Sequence, residues 1–112
     1  MKDLEHQIQV AMVRYLRHHG VVVFAVPNGG LRNITTARKL KAEGCLAGVA
    51  DCIILEQGTV RFVEVKTPKG RQQDSQKEFE GIVKAHGMKY EVWRDIEDAV
   101  DYVKNLQEQG VR

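Results

Sequence analysis

The feature that most limits how this chain can fold is a pair of apolar, β-branched segments separated by a very short link. The first segment covers residues 51–57 and the second covers residues 60–67. The link between them, Gln57-Gly58-Thr59, contains the glycine that a tight turn favours. The pattern predicts an antiparallel β-hairpin, and the rest of the chain has to extend a sheet from it.

Three charged side chains interrupt this otherwise apolar hairpin. Successive strand residues point to opposite faces of a sheet, so Glu64 and Lys66 share one face. In a simple antiparallel register, Asp51 lies near the level of Glu64 or Lys66. Charged side chains are rarely placed in such apolar strands without a partner. The sequence therefore predicts that two carboxylates and an ammonium meet on neighbouring strands.

These three groups suit a metal-dependent nuclease. Mg²⁺ prefers oxygen ligands and is commonly held by one or two carboxylates together with substrate phosphate. Asp51 and Glu64 supply the carboxylates, and the backbone carbonyl of Val65 is a third protein oxygen on the same strand. The positive charge of the Lys66 ammonium can hold an attacking water and help it lose a proton, or neutralise the negative charge that builds on a phosphorane. Solvated charges or cross-strand ion pairs are the alternative, and the apolar surroundings favour the nuclease.

The remaining hydrophobic patterns predict one α/β domain that spans residues 1–112. The strand at 89–94 follows a helix, so a crossover connection places it parallel to the strand at 60–67. The expected fold is a four-stranded mixed sheet flanked by helices. Helices are predicted at 2–19, near 34–43, at 75–86 and at 95–108, and further strands at 21–26 and 89–94.

Neither a membrane span nor a secretory signal is indicated by the sequence. No apolar run approaches the length of about 18 residues that a membrane helix needs. The charged start, Met1-Lys2-Asp3-Leu4-Glu5, does not resemble a signal peptide. We therefore expect the protein in the cytoplasm.

The charged residues are distributed unevenly along the chain. Residues 27–50 carry four basic residues against one acidic residue, and residues 61–77 carry five against two. Residues 91–112 carry six acidic and three basic residues. For either basic segment alone, a solvated surface is the simpler interpretation. Together the two segments bracket the predicted carboxylates, which favours contacts with the phosphates of a nucleic acid.

The order of short motifs resembles a known nuclease family. Pro27-Asn28-Gly29-Gly30 is followed by a helix that ends near Gly44, then by Gly48-Val49-Ala50-Asp51 and Glu64-Val65-Lys66. This arrangement is similar to the virus-type replication-repair nuclease (VRR-NUC) domain, a branch of the PD-(D/E)xK nuclease superfamily, over nearly the whole chain. Ala50 replaces the superfamily's proline before the first aspartate. That departure affects the stiffness of the loop and not a ligand.

The resemblance implies a restriction-endonuclease-like core and a DNA endonuclease that depends on Mg²⁺ or Mn²⁺. Its products would carry 5′-phosphate and 3′-hydroxyl ends. Small stand-alone members are associated with branched DNA, particularly four-way (Holliday) junctions, and act as homodimers in replication, recombination or repair. The resemblance thus implies branched DNA as a partner, a homodimer, a phage origin and, for a viral protein, the host cytoplasm as its location.

The resemblance also implies roles for two residues in predicted helices. Family members carry a glutamate near the metal site in their first helix, in a context that residues 5–9 reproduce, which assigns this role to Glu5. A favourable acidic residue in a first helical turn is the alternative. Gln76 resembles a polar residue that positions the catalytic lysine or the phosphate. Its alternative is an ordinary first-turn residue after a cap at Asp74 or Ser75.

Two loops are candidates for contacts with the DNA backbone. In family members, a loop like the one at residues 27–30 lies near the DNA, although each residue taken alone is equally consistent with a plain connection. The loop that leaves the second hairpin strand is placed to reach a phosphate of the scissile strand. The candidate contacts are Asn28, Arg32 and Arg38 in and after the first loop, and Lys69 and Arg71 in the second.

Two other functions remain open at this point. A non-catalytic DNA-binding module would keep the fold and the basic face while its acids pair with Lys66, and its binding would be salt-sensitive and independent of metal. A nuclease for RNA or single strands would stack bases on aromatic side chains. Aromatic residues make up 6% of this chain, which disfavours that function without excluding it.

Overall fold

A computed structural model describes residues 3–27 and 34–110 of the chain. Every predicted helix and strand is found there, and each observed boundary lies within two residues of the predicted one. The predicted start of the first helix, Lys2, lies outside the described residues. Among the described helices, none is long and apolar enough to cross a membrane. The elements are α1 (Leu4–His18), β1 (Val23–Ala25), α2 (Ile34–Ala42), β2 (Cys52–Glu56), β3 (Thr59–Val65), α3 (Asp74–Ala85), β4 (Lys89–Trp93) and α4 (Ile96–Glu108).

The four strands form one mixed sheet in the order β1-β2-β3-β4. The first two pairings are antiparallel and β4 runs parallel to β3, as predicted. Because Cys52 pairs with Val63, Asp51 falls opposite Glu64, one residue beyond the paired positions. The expectation that Asp51 lies near the level of Glu64 or Lys66 is therefore confirmed, with Glu64 as its neighbour.

The first strand, β1, covers three residues and is shorter than the predicted strand at 21–26. The chain stays hydrogen-bonded to β2 beyond both of its ends. The N–H of Val26 donates to the carbonyl of Asp51 at 2.8 Å, and the N–H of Leu55 donates to the carbonyl of Val22 at 3.0 Å. The first of these bonds anchors the backbone of Asp51 against the edge of the sheet.

Helices cover both faces of the sheet, which explains why the hairpin positions are mainly apolar. On one face, α1 and α4 pack against the strands. On the other face, Phe79 and Val83 of α3 pack against Phe62 and Tyr90. The rings of Phe62 and Phe79 meet edge to face with their centroids 5.3 Å apart. The core of the first face includes Met12, Leu16, Ile54, Val63, Trp93 and Val103.

One basic residue of the segment at 61–77, Arg61, faces α4 and belongs to a cluster of ion pairs. Its Nε donates to Glu56 at 2.7 Å, and its Nη1 donates to Glu91. The hydroxyl of Tyr102 also donates to Glu56, at 2.5 Å. Burial disfavours the charged carboxylate, but the hydrogen bonds from Tyr102 and Arg61 outweigh it and lower the pKa of Glu56. Arg61 is therefore engaged in the fold, and the basic segment at 61–77 offers one fewer base to a nucleic acid than the sequence suggested.

Candidate active site

The predicted carboxylates and lysine lie together at one end of the sheet. Asp51 directly precedes β2, Glu64 is the penultimate residue of β3, and Lys66 directly follows β3. Because β2 and β3 are antiparallel, the start of one strand and the end of the other meet at the same end. The first turn of α3 reaches this end as well, since Gln76 contacts Glu64.

Asp51 is fixed by a bond to β3 and by the loop that precedes it. Its Oδ2 accepts a hydrogen bond from the backbone N–H of Val65 at 2.7 Å. The loop packs tightly against α3: a Cβ placed on Gly48 would lie 2.2 Å from the carbonyl oxygen of Ser75. Gly48 also has a φ of +83°, a conformation that side chains disfavour. A glycine is therefore required for the loop that carries Asp51 to reach the first turn of α3.

Glu64 is almost completely buried, with 2% of its surface exposed, and both of its oxygens accept hydrogen bonds. Oε2 accepts from the side-chain amide of Gln76 at 2.8 Å. Oε1 accepts from the hydroxyl of Tyr90 at 3.3 Å. The ammonium of Lys66 lies 4.0 Å from Oε2, at ion-pair distance. A buried carboxylate is thus oriented from two different elements of the fold.

Burial first, and a neighbouring carboxylate second, raise the proton affinity of Glu64. Burial raises the pKa of Glu64 to about 8, and the adjacent carboxylate of Asp51 acts in the same direction. The Lys66 ammonium and the Tyr90 hydroxyl oppose the shift without cancelling it. A second positive charge between the two carboxylates would relieve this repulsion.

The residues at this site fit a hard divalent cation. Two carboxylates that repel each other and a nearby backbone carbonyl, that of Val65, form the all-oxygen donor set that Mg²⁺ and Mn²⁺ favour. Within residues 3–27 and 34–110, no three His, Cys, Asp or Glu side chains come together as a metal cage. A cation held by Asp51, Glu64 and the Val65 carbonyl would complete its shell with water or substrate phosphate, as Mg²⁺ commonly does.

Lys66 is held close to the carboxylates by its backbone. Its N–H donates to the carbonyl of Trp93 at 3.0 Å, which fixes it to the end of β4. Its side chain is buried with Glu64, and 8% of the residue's surface is exposed. The 4.0 Å separation from Glu64 Oε2 is longer than a hydrogen bond. The ammonium is thereby placed where it can donate to a water or a phosphate oxygen at the same end of the sheet.

Glu5, in the first turn of α1, is close enough for its charge to interact with the site. Its side chain is exposed, but partial burial raises its pKa, as does the charge of Asp51, while Lys66 lowers it. Its position is compatible with both interpretations of the sequence, a first-turn acid and a neighbour of the site. The role of Glu5 stays a prediction.

Gln76 lies in the first turn of α3, as the alternative interpretation had it, and it also contacts Glu64. That it positions the catalytic lysine or the phosphate stays a prediction. Its Oε1 accepts from the backbone N–H of Gln73 at 2.8 Å, which caps the start of α3, and its Nε2 donates to Glu64. The predicted cap at Asp74 or Ser75 is wrong: the N-cap is Gln73, whose backbone is extended, and Asp74 is already helical. The helix therefore begins one residue before its predicted start, and Gln76 in its first turn contacts the carboxylate of Glu64.

The loop after β3 presents Lys69 and Arg71 to solvent, as expected of phosphate contacts. Arg94 is hydrogen-bonded to the backbone of this loop: its Nη1 donates to the carbonyls of Thr67 at 2.8 Å and Gly70 at 2.7 Å. The loop is thus tied to the end of β4. Whether the two basic side chains contact DNA stays a prediction.

The structure describes only one of the other three residues that were predicted to contact DNA. Arg38 is exposed on α2. Asn28 and Arg32 lie outside the described residues. The geometry of the site therefore rests on the two strands of the hairpin and on α3.

Three residues of this end of the sheet were not identified from the sequence as part of the site. They are Tyr90, which contacts Glu64, Gln72, which contacts Tyr90 at 3.2 Å, and Arg94. The available signal was the alternation along the strand at 89–94, which places Tyr90 and Val92 on one face. It did not show that this face is the one that carries Glu64, because that depends on the pairing of β4 with β3.

Replacing Glu64 with glutamine is expected to stabilise the metal-free protein at alkaline pH. The pKa of Glu64 is raised to about 8 in the fold, from an ordinary value of 4.5. The stability that it contributes is therefore fully present below about pH 4.5 and is lost as the pH rises through about 8. Each pKa unit corresponds to about 1.4 kcal/mol. The difference between these two pKa values therefore sets an upper limit of about 5 kcal/mol on the stability that wild type loses relative to Glu64→Gln as the pH rises from below 4.5 to above 8.

The measurement is urea unfolding in EDTA across the same pH range. Glu91→Gln is a control, because Glu91 lies on the neighbouring strand and pairs with Arg61 at the other face. A constant stability difference between wild type and Glu64→Gln at all pH values would contradict the expectation.

Comparison with known proteins matches this chain to a family. A model of the VRR-NUC domain matches residues 3–95. A solved structure described as a VRR_NUC domain shares the fold with a TM-score of 0.61 and 20% identity, covering 93% of this chain and 94% of that one. A second, a VRR_NUC domain protein, has a TM-score of 0.67 and 20% identity, covering 90% of this chain and 85% of that one. No curated protein matches the chain.

The two solved structures establish the fold, and the family model establishes the relationship. The fold is the predicted α/β arrangement of a four-stranded mixed sheet with helices on both faces. The family implies a nuclease-type domain that processes DNA. Because its model spans most of the sequence, this chain belongs to the VRR-NUC domain family.

Proposed function

We propose that this protein is a Mg²⁺- or Mn²⁺-dependent DNA endonuclease that hydrolyses phosphodiester bonds. The observation that carries the proposal is the juxtaposition of Asp51 and Glu64, which lie opposite each other at the paired ends of β2 and β3, with the Lys66 ammonium 4.0 Å from Oε2 of Glu64. Such a concentration of charge is costly to fold. It is understandable where a cation and a phosphate are to be bound.

The roles of the residues follow from their positions. Asp51, Glu64 and the carbonyl of Val65 would hold the cation, and Gln76 keeps the Glu64 carboxylate turned toward it. When bound, the cation supplies positive charge that polarises the phosphate and lowers the pKa of water. Lys66 would donate a hydrogen bond to the attacking water or to a phosphate oxygen. The water oxygen would bond to phosphorus as the bond from phosphorus to the 3′-oxygen, in line with it, breaks; the water would release one proton to solvent and the 3′-oxygen would take one up. The products would carry 5′-phosphate and 3′-hydroxyl ends.

We further propose branched DNA as the substrate, with four-way junctions foremost, and a homodimer as the active form. A dimer has two symmetry-related sites, which suits the two-fold symmetry of a junction whose strands are cut in pairs. The exposed Lys69 and Arg71, together with Arg38, Asn28 and Arg32, are the proposed contacts with phosphate. Light scattering should give a mass near twice 12.7 kDa. A role in replication, recombination or repair, in a phage or its host, would follow from this substrate.

The test is a cleavage assay on labelled DNA. A four-way junction, a flap and a linear duplex are each incubated with Mg²⁺, with Mn²⁺ or with EDTA. We expect cleavage of the junction in either metal and none in EDTA, and a loss of about 10² to 10⁴-fold in Lys66→Ala. Lys104→Ala, which alters an exposed lysine of α4, should cleave like wild type. Equal rates for Lys66→Ala and wild type would overturn the mechanism.

A non-catalytic DNA-binding module is the second candidate, favoured by the ion pair of Lys66 with Glu64. It predicts salt-dependent DNA binding that Mn²⁺ does not alter. Calorimetric titration with Mn²⁺ separates the two functions. Binding that Glu64→Gln abolishes supports the nuclease, whereas no binding supports the module.

A further inference from the structure

We infer that Tyr90 is a positioning residue, which together with Gln72 and Glu80 holds the Glu64 carboxylate in the orientation that binds the cation. The inference rests on the proposed function. A chain of hydrogen bonds begins at the carboxylate of Glu64, which is proposed to hold the cation, and ends on the surface of α3.

The hydrogen bonds of this chain have a fixed direction. Tyr90 is buried in β4, and its hydroxyl donates to Oε1 of Glu64 at 3.3 Å. The same hydroxyl accepts from Nε2 of Gln72 at 3.2 Å. Since Nε2 also donates to Glu80 at 3.1 Å, both N–H groups of the Gln72 amide have acceptors. With its oxygen facing a donor, the Tyr90 hydroxyl is left to direct its own proton at Glu64.

The far end of the chain is anchored as well. Glu80 forms an ion pair with Lys84, one turn further along α3, with 2.6 Å between Nζ and Oε2. An acceptor fixed in this way orients the Gln72 amide. The arrangement therefore extends from an exposed helix surface, through the loop before α3, to the buried carboxylate.

Two donors on separate elements limit the freedom of Glu64. The last torsion of a glutamate side chain has broad, roughly two-fold preferences, so a carboxylate held by one bond can still rotate. Here Tyr90 on β4 holds one oxygen and Gln76 on α3 holds the other. Each oxygen keeps a further lone pair for a cation. Removing the Tyr90 hydroxyl would leave one oxygen unrestrained and weaken cation binding without removing a ligand.

The chain offers a variant that isolates the hydroxyl. Tyr90→Phe keeps the ring, which packs against Phe79 with centroids 6.2 Å apart. Tyr102→Phe is the matched control, because it removes another buried hydroxyl that donates to a carboxylate, that of Glu56 on the opposite face. Gln72→Met tests the second member of the chain. Because Gln72 is half-buried and lies in the loop before α3, this variant serves as the second test if Tyr90→Phe fails to fold.

The experiment is calorimetric titration of the metal-free protein with Mn²⁺. Partners behind a metal ligand typically change affinity by about 10 to 100-fold, so we expect the Kd of Tyr90→Phe to rise by at least about 10-fold. Tyr102→Phe should bind like wild type. Gln72→Met should weaken binding less than Tyr90→Phe does. Adding Gln72→Met to Tyr90→Phe should raise the Kd little further, because both substitutions interrupt the same chain of hydrogen bonds.

The outcomes separate the inference from the proposed function. Wild-type protein that binds no Mn²⁺ would refute the proposed function itself. Wild-type binding that is unchanged in both Tyr90→Phe and Gln72→Met would refute only the positioning role. An equal loss in Tyr90→Phe and Tyr102→Phe would also refute it, because the effect would then come from general destabilisation.

Discussion

Asp51→Asn should lower DNA cleavage by about 10³-fold or more, a larger loss than the 10 to 100-fold typical of residues behind a metal ligand. Asparagine retains a side-chain oxygen that can accept the hydrogen bond from the N–H of Val65, now 2.7 Å from Oδ2 of Asp51. It loses the negative charge, so a cation at the site would keep Glu64 as its one anionic ligand. We therefore expect Asp51→Asn to fold like wild type and to lose cleavage activity.

The measurement compares initial cleavage rates on the same junction at saturating Mg²⁺, together with thermal unfolding in EDTA. Asp101→Asn is the matched control, because it makes the same chemical change on the exposed side of α4. Asp51→Asn should unfold at or above the wild-type temperature, since it removes repulsion from Glu64. If Asp51→Asn cleaved at the wild-type rate, Asp51 would not be a ligand and the proposed mechanism would fail.

The position of Asp51 beside Glu64 was predictable because it depends on local rules. A short link that contains Gly58 fixes the hairpin, the period of two places Glu64 and Lys66 on one face, and the antiparallel register brings Asp51 to the same end. The same is true of the elements themselves, whose apolar periods match their observed bounds. The mixed character of the sheet was also predictable, because the helix between β3 and β4 forms a crossover that places these two strands parallel.

The partners of these residues were not predictable, because they come from segments distant in sequence. Tyr90 reaches Glu64 across 26 residues, and Arg94 reaches Thr67 across 27. Both contacts depend on how β4 is shifted along β3, and nothing in the hairpin determines that shift. Arg61, one of the five bases counted in the segment at 61–77, pairs with Glu56 in the hairpin and with Glu91 on β4, so its charge is taken up inside the fold.

The substitution expected to destabilise the fold most replaces a residue without a side chain, Gly48. Its φ of +83° costs a residue with a side chain about 1 to 2 kcal/mol. In addition, an alanine Cβ would lie 2.2 Å from the carbonyl oxygen of Ser75 and 2.4 Å from its carbonyl carbon. Both atoms are backbone of α3, so relief requires the loop and the helix to separate. Crowding of this kind adds about 1 to 3 kcal/mol.

Gly48→Ala should therefore lower the free energy of unfolding by about 2 to 5 kcal/mol, measured by urea denaturation. Gly58→Ala is the matched control, because Gly58 has a similar φ of +75° but nothing within 4 Å of the added atom. It should cost only the backbone strain, about 1 to 2 kcal/mol. If the two variants were equally stable, the contact of the loop with Ser75 would be unimportant. A difference between them measures the packing that holds Asp51 against the helix of Gln76, which links the stability of this loop to the geometry of the site.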